Sequence, residues 1–478
     1  MSKGRVYLWA ADSSRGLYGH LTASVESLHH LDVRARDAGG LPGRFVCVRN
    51  GGAVYGHLTA NVESLHHLDV RARDAGGLSG RFVCVRNGGA VYEPDPVTKS
   101  ERAIPLGDAR PDTAGDFLFE PGRGGGRIDK VRLAEPDFRW RYILASRFGE
   151  VNTYFHVDRI AAYVHDLLAE LGSAPLPRVT AVVTAHHAAT EEDGIRDGVR
   201  GRNHWLPFQG GHYRLPSRQY EMPEHNPISP DGEIHLGPGW QLLEHGALVE
   251  AAGGRYRANA SHNAGIIYHE YGHHITRHTA DFRANNLCPS DQQNNRKTAM
   301  DEGTCDYWAA TMLGTPHIWI LHRRHDHHEV HVRSLTSGKS MEDYDTGPRA
   351  DVHANGTIWG AALWHLRTQM SATEPNGIRK TDLLVLKALL LMGKLTPRWQ
   401  EASVTSVRLA RKNFDAGLTS LLLADEQLNQ SQNQKTILEI FGKRGIQPAP
   451  SFRHGGRGEL LLDTRIEQPL NAIKSNHG

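Results

Sequence analysis

Residues 269 to 278 read HEYGHHITRH, and the spacing His269-Glu270-x-x-His273 constrains the fold more than any other stretch of the chain. Ser261 and Asn263 are polar residues suited to starting a helix, and an apolar run follows them, so the segment predicts an α-helix. On a helix His269 and His273 stand one turn apart, about 5–6 Å between Cβ atoms, and project to the same side. Two imidazoles placed so can share one zinc ion at about 2.0–2.1 Å per bond. Glu270 sits beside the first histidine, where its carboxylate can act as general base toward a water without being a ligand. His274 and His278 repeat the spacing but have no glutamate after the first histidine.

Two histidines leave a catalytic zinc short of its usual three protein ligands, and the pattern fixes only three of five positions in a chain with 30 histidines. The third ligand decides the matter. Glu302 follows in MDEGTCDYWAATML, a segment that reads as a helix with Ala309, Ala310 and Leu313 on a packing face. Asp306, one turn on, can accept the free ring N–H of a zinc-binding histidine. Further along, His353 precedes a helix with Ile358, Trp359, Ala362, Leu363 and Leu366 as its apolar face. It can donate to the oxyanion formed when water attacks a carbonyl. Tyr344 and Arg349 are further candidates to assist there. The cluster HRRHDHHEVH, His322 to His331, falls one residue short of the zinc motif and reads as a solvated loop.

Formal net charge is +2 with 23% charged residues, which argues against a nucleic-acid binder with a broad basic face. No apolar run reaches the roughly 18 residues of a membrane span. The candidate LLVLKALLLMG is short and interrupted by Lys387, and no secretory signal is visible in MSKGRVYLWAADSS. Tyr18 to Val54 recurs as Tyr55 to Val91, an offset of 37 residues, with differences only at Ser24/Asn61 and Pro42/Ser79. Each copy alternates apolar and polar residues, passes Ala-Gly-Gly and runs through RFVCVRN, the pattern of a β-hairpin. Solenoids need about three units and drift apart, so this reads as a duplication rather than a binding array. Cys47 and Cys84 are thus one cysteine counted twice, leaving Cys288 and Cys305 as an independent pair. After Tyr92 the chain turns Pro- and charge-rich, and GRGGGR lacks the Lys-Ser/Thr of a phosphate loop. VNTYFHVDRIAAYVHDLLAELG has helical spacing closed by Gly172, RVTAVVTAHH reads as a buried strand, and GEIHLG as a short strand among loops.

Taken together, HNAGIIYHEYGHHIT, MDEGTCDYWA, DVHANGTIWGAALWHLR, KTDLLVLKALLLM and QNQKTILEIFGKRGI resemble, in order, the conserved blocks of fungalysin-type metallopeptidases, thermolysin relatives among the zincins. The resemblance covers roughly residues 140 to 450. It implies one catalytic zinc held by His269, His273 and Glu302. It makes Glu270 the general base and later proton donor, Asp306 the acid behind a zinc histidine, and His353 the oxyanion stabiliser. It implies an α+β fold in which a mixed α+β upstream lobe (106–280) with a sheet edge, which GEIHLG would supply, precedes a mainly helical downstream lobe (281–450). A β-rich N-terminal region with the duplicated hairpin (1–105) stands before them and a tail (451–478) after. Structural calcium is a further expectation with no position assigned. The expected activity is a zinc metalloendopeptidase acting on protein or peptide substrates; the resemblance suggests a secreted protein, and the compartment is left open. An aminopeptidase using the same site, or a non-catalytic zincin-scaffold binding protein, is the alternative. Oligomeric state is left open. Thr304-Cys305 replace the family's Trp-Ser, and His274 replaces a small residue.

Overall fold

The alternating valines after Arg178 dictate a strand, and in the computed structural model they form the middle of a five-stranded sheet. The structure describes residues 4–10, 24–25, 48–50, 53–62, 65, 68, 77–94, 97, 101–119, 136–188, 205–207, 210–215, 229–238, 240–242, 248–250, 259–280, 299–318, 333–346, 350–395, 407–448, 452–454 and 460–462. The chain divides into two compact units. Unit 1 holds Met1–Asp166, Pro175–His274 and Trp308–His331; unit 2 holds Leu167–Ala174, Ile275–Tyr307 and Val332–Gly478. The protein is mixed α+β, with a helical C-terminal region.

In unit 1 the sheet comprises β1 (Leu78–Ser79), β2 (Val83–Asn87), β3 (Val179–Val183), β4 (Gly211–Arg214) and β5 (Glu233–Leu236), in the order β4-β5-β3-β2-β1. The interior pairs β5/β3 and β3/β2 are parallel, and the outer pairs are antiparallel. Val83, Val85, Val179, Ala181, Val183, Tyr213, Ile234 and Leu236 form the buried face. Cys84, Thr180, Val182, His212, Arg214, Glu233 and His235 form a half-buried one, as period-two alternation requires. GEIHLG is therefore not an end strand of this sheet: β5 is flanked by β4 and β3, and among the described strands β4 lies outermost on that side. An alternating strand looks the same locally whether one or two neighbours pair with it.

The second repeat copy is built into this sheet. Leu68 bridges to Gly80 across the Ala-Gly-Gly segment, and Gly80 N–H donates to Val83 O (2.8 Å) to close the turn between β1 and β2. The first copy lies outside the described residues except for 24–25, 48–50 and 53–54. Gly4–Ala10 pairs antiparallel with Gly56–Val62 of the second copy.

Helix α1 (Pro136–Glu170) buries Phe148, Val151, Tyr154, Val157, Ile160, Ala161 and Val164 in unit 1. Its polar residues make specific attachments. Glu150 accepts from Asn87 Nδ2 (2.7 Å) and Ala109 N (2.8 Å), tying the end of β2 to the helix. Burial pushes the Glu150 carboxyl up to about 8, outweighing those two donors. Asn152 donates to Ser261 O (2.8 Å), and His156 Nδ1 lies 2.7 Å from the Tyr268 hydroxyl. His262 Nε2 donates to Ala145 O (2.7 Å).

Burial pushes the His262 imidazole down to about 4, despite that hydrogen bond. Its folded pKa is lower than in the unfolded chain, so the unfolded state takes up the proton first as pH falls. The stabilisation is full above about pH 6.5 and is lost toward pH 4, a loss of about 3 kcal/mol from this group. We expect the thermal midpoint to fall across that window, and to fall less in His262→Gln, by calorimetry at matched ionic strength.

Unit 2 is helical. α2 (Ala264–Arg277) and α3 (Ala299–Leu313) each run through both units, and α4 (Val352–Thr373), α5 (Gly377–Leu395), α6 (Val407–Asn429) and α7 (Gln434–Gly442) lie within unit 2. Trp359 of α4 anchors the core. It stacks on Phe414 (centroids 5.8 Å apart), meets Phe441 edge-on (5.1 Å) and donates from Nε1 to Thr304 Oγ1 (3.1 Å). Thr304 thus has a buried partner. Buried Asp382 accepts from the Tyr307 hydroxyl and from Arg367 Nε. Among the described residues no helix is long and apolar enough to cross a membrane.

Candidate metal centre

The N-terminus of α2 is set by Asn263, whose side-chain oxygen accepts from Gly265 N (2.9 Å) and Ile266 N (3.4 Å). Gly265 then packs against backbone, since a Cβ there would stand 2.3 Å from Ile318 O. From this start the helix carries His269, Glu270, His273 and His274, all buried. The His269 and His273 rings lie 5.0 Å apart at 85°, with ring nitrogens within 4.8 Å of each other, close enough for one ion to bridge. His274 belongs to the scaffold: its Nε2 lies 2.9 Å from Pro177 O and its Nδ1 3.0 Å from the Tyr213 hydroxyl. Tyr213 also lies face-on to His273, with centroids 6.4 Å apart and planes at 27°.

In unit 2 Glu302 stands in the first turn of α3, where the helix dipole favours a carboxylate, and is fully buried. Its Oε2 lies 3.2 Å from His353 Nε2. That approach depends on glycines. A Cβ on Gly303 would meet Gly356 O at 2.2 Å and Gly360 N at 2.9 Å, and one on Gly356 would meet Ala299 O at 2.6 Å. Backbone lies against backbone, which brings the residue before Gly303 to the first turn of α4.

Asp351, which sequence reasoning missed, caps α4 by accepting from His353 N (2.9 Å) and also lies 2.9 Å from His353 Nδ1. Burial would raise the Asp351 carboxyl, but its hydrogen bonds and charge contact with His353, and then Arg333, hold it well below the usual carboxylate range. The signal was present as Asp-x-His before a helix, the spacing of an N-cap two residues ahead of the backbone N–H it accepts from. Asp306 is fully buried and grips Arg333, with Nη2 donating to Oδ1 (2.7 Å) and Nε to Oδ2 (3.4 Å). This bidentate partner was likewise not visible in the sequence. Tyr344 is buried against Phe414 (6.3 Å); burial pushes its phenol up to about 12, against a hydrogen bond with Asn355. Cys305 is buried with its thiol 3.7 Å from Asp301 Oδ1. Arg349, Cys288 and the cluster His322–His331 lie outside the described residues.

The donors suit zinc. Two buried imidazoles on one helix face supply two of the three protein ligands that a catalytic zinc site uses. A mixed sheet with a buried HExxH helix, followed by a helical region, defines the metallopeptidase class of scaffold. Within that class the chain belongs to the fungalysin metallopeptidase family (M36), whose profile matches residues 196–448. It is 25% identical over 210 residues to "Probable extracellular metalloproteinase 4" of Arthroderma benhamiae (strain ATCC MYA-4681 / CBS 112371), covering 41% of this chain and 31% of that protein. It is 23% identical over 227 residues to "Extracellular metalloproteinase 5" of Arthroderma benhamiae, covering 42% and 33%. The matched region thus spans about a third of the length of these curated relatives.

Proposed function

We propose that the chain is a zinc metalloendopeptidase that hydrolyses internal peptide bonds of protein substrates. The buried His269-Glu270-x-x-His273 helix, inside the region matched to the family, is the observation that carries this reading. His269, His273 and Glu302 would hold the ion, which when bound acidifies a water and draws charge from a carbonyl oxygen. Glu270 takes the proton from that water as it attacks the peptide carbon. It returns the proton to the amine nitrogen as the C–N bond breaks. His353, its ring steadied by Asp351, donates a hydrogen bond to the carbonyl oxygen as negative charge develops there. Asp306, its carboxylate fixed by Arg333, would accept the ring N–H of a zinc-holding histidine.

The side of β4 that pairs with no described strand suits an extended peptide, whose backbone would pair with it as a sixth strand. The relatives carry "extracellular" in their names, and we assign this chain's reaction to the same compartment.

The test is cleavage of a quenched protein substrate before and after removal of zinc with a chelator. Activity should vanish with the metal and return on addition of one equivalent of zinc. Products mapped by mass spectrometry should be internal fragments, and an N-acetylated peptide should be cut as readily as a free one. Stepwise loss of N-terminal residues would replace this reading with an aminopeptidase. A zinc-loaded chain that cuts nothing would make it a binding protein.

A further inference from the structure

We infer that Gly211, on the edge strand β4, is a positioning residue for the general base: the absence of a side chain there is what gives the Glu270 carboxylate its place. The inference rests on the metallopeptidase reading for its consequence, though not for its geometry. Residues 211 and 213 share one face of β4, the face turned toward α2. A Cβ built on Gly211 would lie 2.6 Å from Glu270 Cγ, 2.7 Å from Glu270 Oε1 and 2.7 Å from Ile266 Cγ2. All three distances are shorter than real Cβ contacts.

Glycine is not needed here for its backbone freedom. Gly210 and Gly232 have φ in the left-handed region (+67° and +92°), whereas Gly211 does not. Residue 211 is glycine because there is no room, and the room is taken by the side chain that must move a proton.

The strand cannot retreat to make space. Its register is fixed to β5 from Gly211↔Leu236 to Arg214↔Glu233, and Gly237 N donates to Gly210 O (2.9 Å). Two residues along, the Tyr213 hydroxyl donates to Asp231 O (2.5 Å) and lies 3.0 Å from His274 Nδ1. Gly232 leaves the space for that hydroxyl, since a Cβ there would stand 2.2 Å from it. With β4 held at both ends, an added methyl at 211 must displace the Glu270 side chain together with the Ile266 methyl. Glu270, unlike the strand, can yield by rotation about its side-chain χ angles.

Three readouts test this on the full chain. Gly211→Ala should retain one zinc per chain and wild-type KM while kcat falls about 10- to 100-fold, the scale of an ångström-level misplacement of a reacting group. The fall in thermal midpoint caused by Gly211→Ala should shrink when Glu270 is replaced by Ala, because the colliding Cγ and carboxylate are gone. Wild-type kcat in Gly211→Ala, or an equal fall in midpoint in both backgrounds, would overturn the inference. Should Gly211→Ala alone fail to fold, the double variant Gly211→Ala/Glu270→Ala should fold, and its failure would be equally decisive against the inference. A wild type without zinc or cleavage would defeat the peptidase reading instead, leaving the thermal cycle to report on the contact by itself.

Discussion

Glu270→Gln is expected to keep its zinc and lose turnover by about a thousand-fold or more, toward the upper end of what a positioned general base contributes. The substitution is nearly isosteric, so the buried pocket around residue 270 stays filled and His269 and His273 keep their helix. What changes is basicity: an amide cannot take the proton of an attacking water or deliver one to a leaving amine. Because Glu270 is not one of the proposed metal donors, metal content measured by atomic absorption should match the wild type. Single-turnover cleavage then reads the chemical step alone. A variant within about ten-fold of wild type would assign the proton transfers elsewhere. A variant that loses zinc would make Glu270 part of the metal site itself.

Gly303→Ala is expected to be nearly as damaging by a different route. The new Cβ would meet the Gly356 carbonyl oxygen at 2.2 Å and the Gly360 nitrogen at 2.9 Å. Both are backbone atoms inside a helix and have no rotamer to adopt. Overpacking of this kind costs about 1–3 kcal/mol and more where only backbone can yield. The helices must separate, and Glu302 and His353, now 3.2 Å apart between Oε2 and Nε2, separate with them. A lower denaturation midpoint should therefore appear with weaker zinc affinity and reduced kcat. Gly356→Ala should reproduce all three, since its Cβ would stand 2.6 Å from Ala299 O. A Gly303→Ala protein with wild-type zinc affinity and kcat would show that the close approach does not set the site.

What the sequence made legible was whatever is encoded locally. The HExxH helix could be read because histidine spacing, a polar start and an apolar run all lie within about 18 residues of one another, inside the window over which helical periodicity is expressed. The long upstream helix, the central strand at Val179 and the helix after Asp351 were legible for the same reason. Sheet order was not. GEIHLG alternates as an edge strand would, and only pairing with residues 211–214 places it inside. Partners distant in sequence were hidden as well: Arg333 on Asp306, Asn87 on Glu150, and the glycine-to-glycine approach of Gly303 to Gly356. Asp351 is a different case. It stood two residues from a residue already singled out, and its capping role was readable from the start of the helix.

The placement of the second repeat copy bears on the history of the gene. β2 and β1 come from that copy, and so does the strand that pairs with Gly4–Ala10 from Gly56 onward. Unequal recombination between two such similar stretches would delete one period and leave a single fused copy. Wherever the exchange fell, the product would still encode RFVCVRN and the Asn that reaches Glu150. Its only marks would be the residues inherited at the two differing positions, of which Ser or Pro at the place of Ser79 falls in a paired strand, where proline brings no N–H. The array can therefore contract to one unit in a single genetic step while the sheet keeps its strand. Two-copy and one-copy alleles should then differ in length far more than in fold.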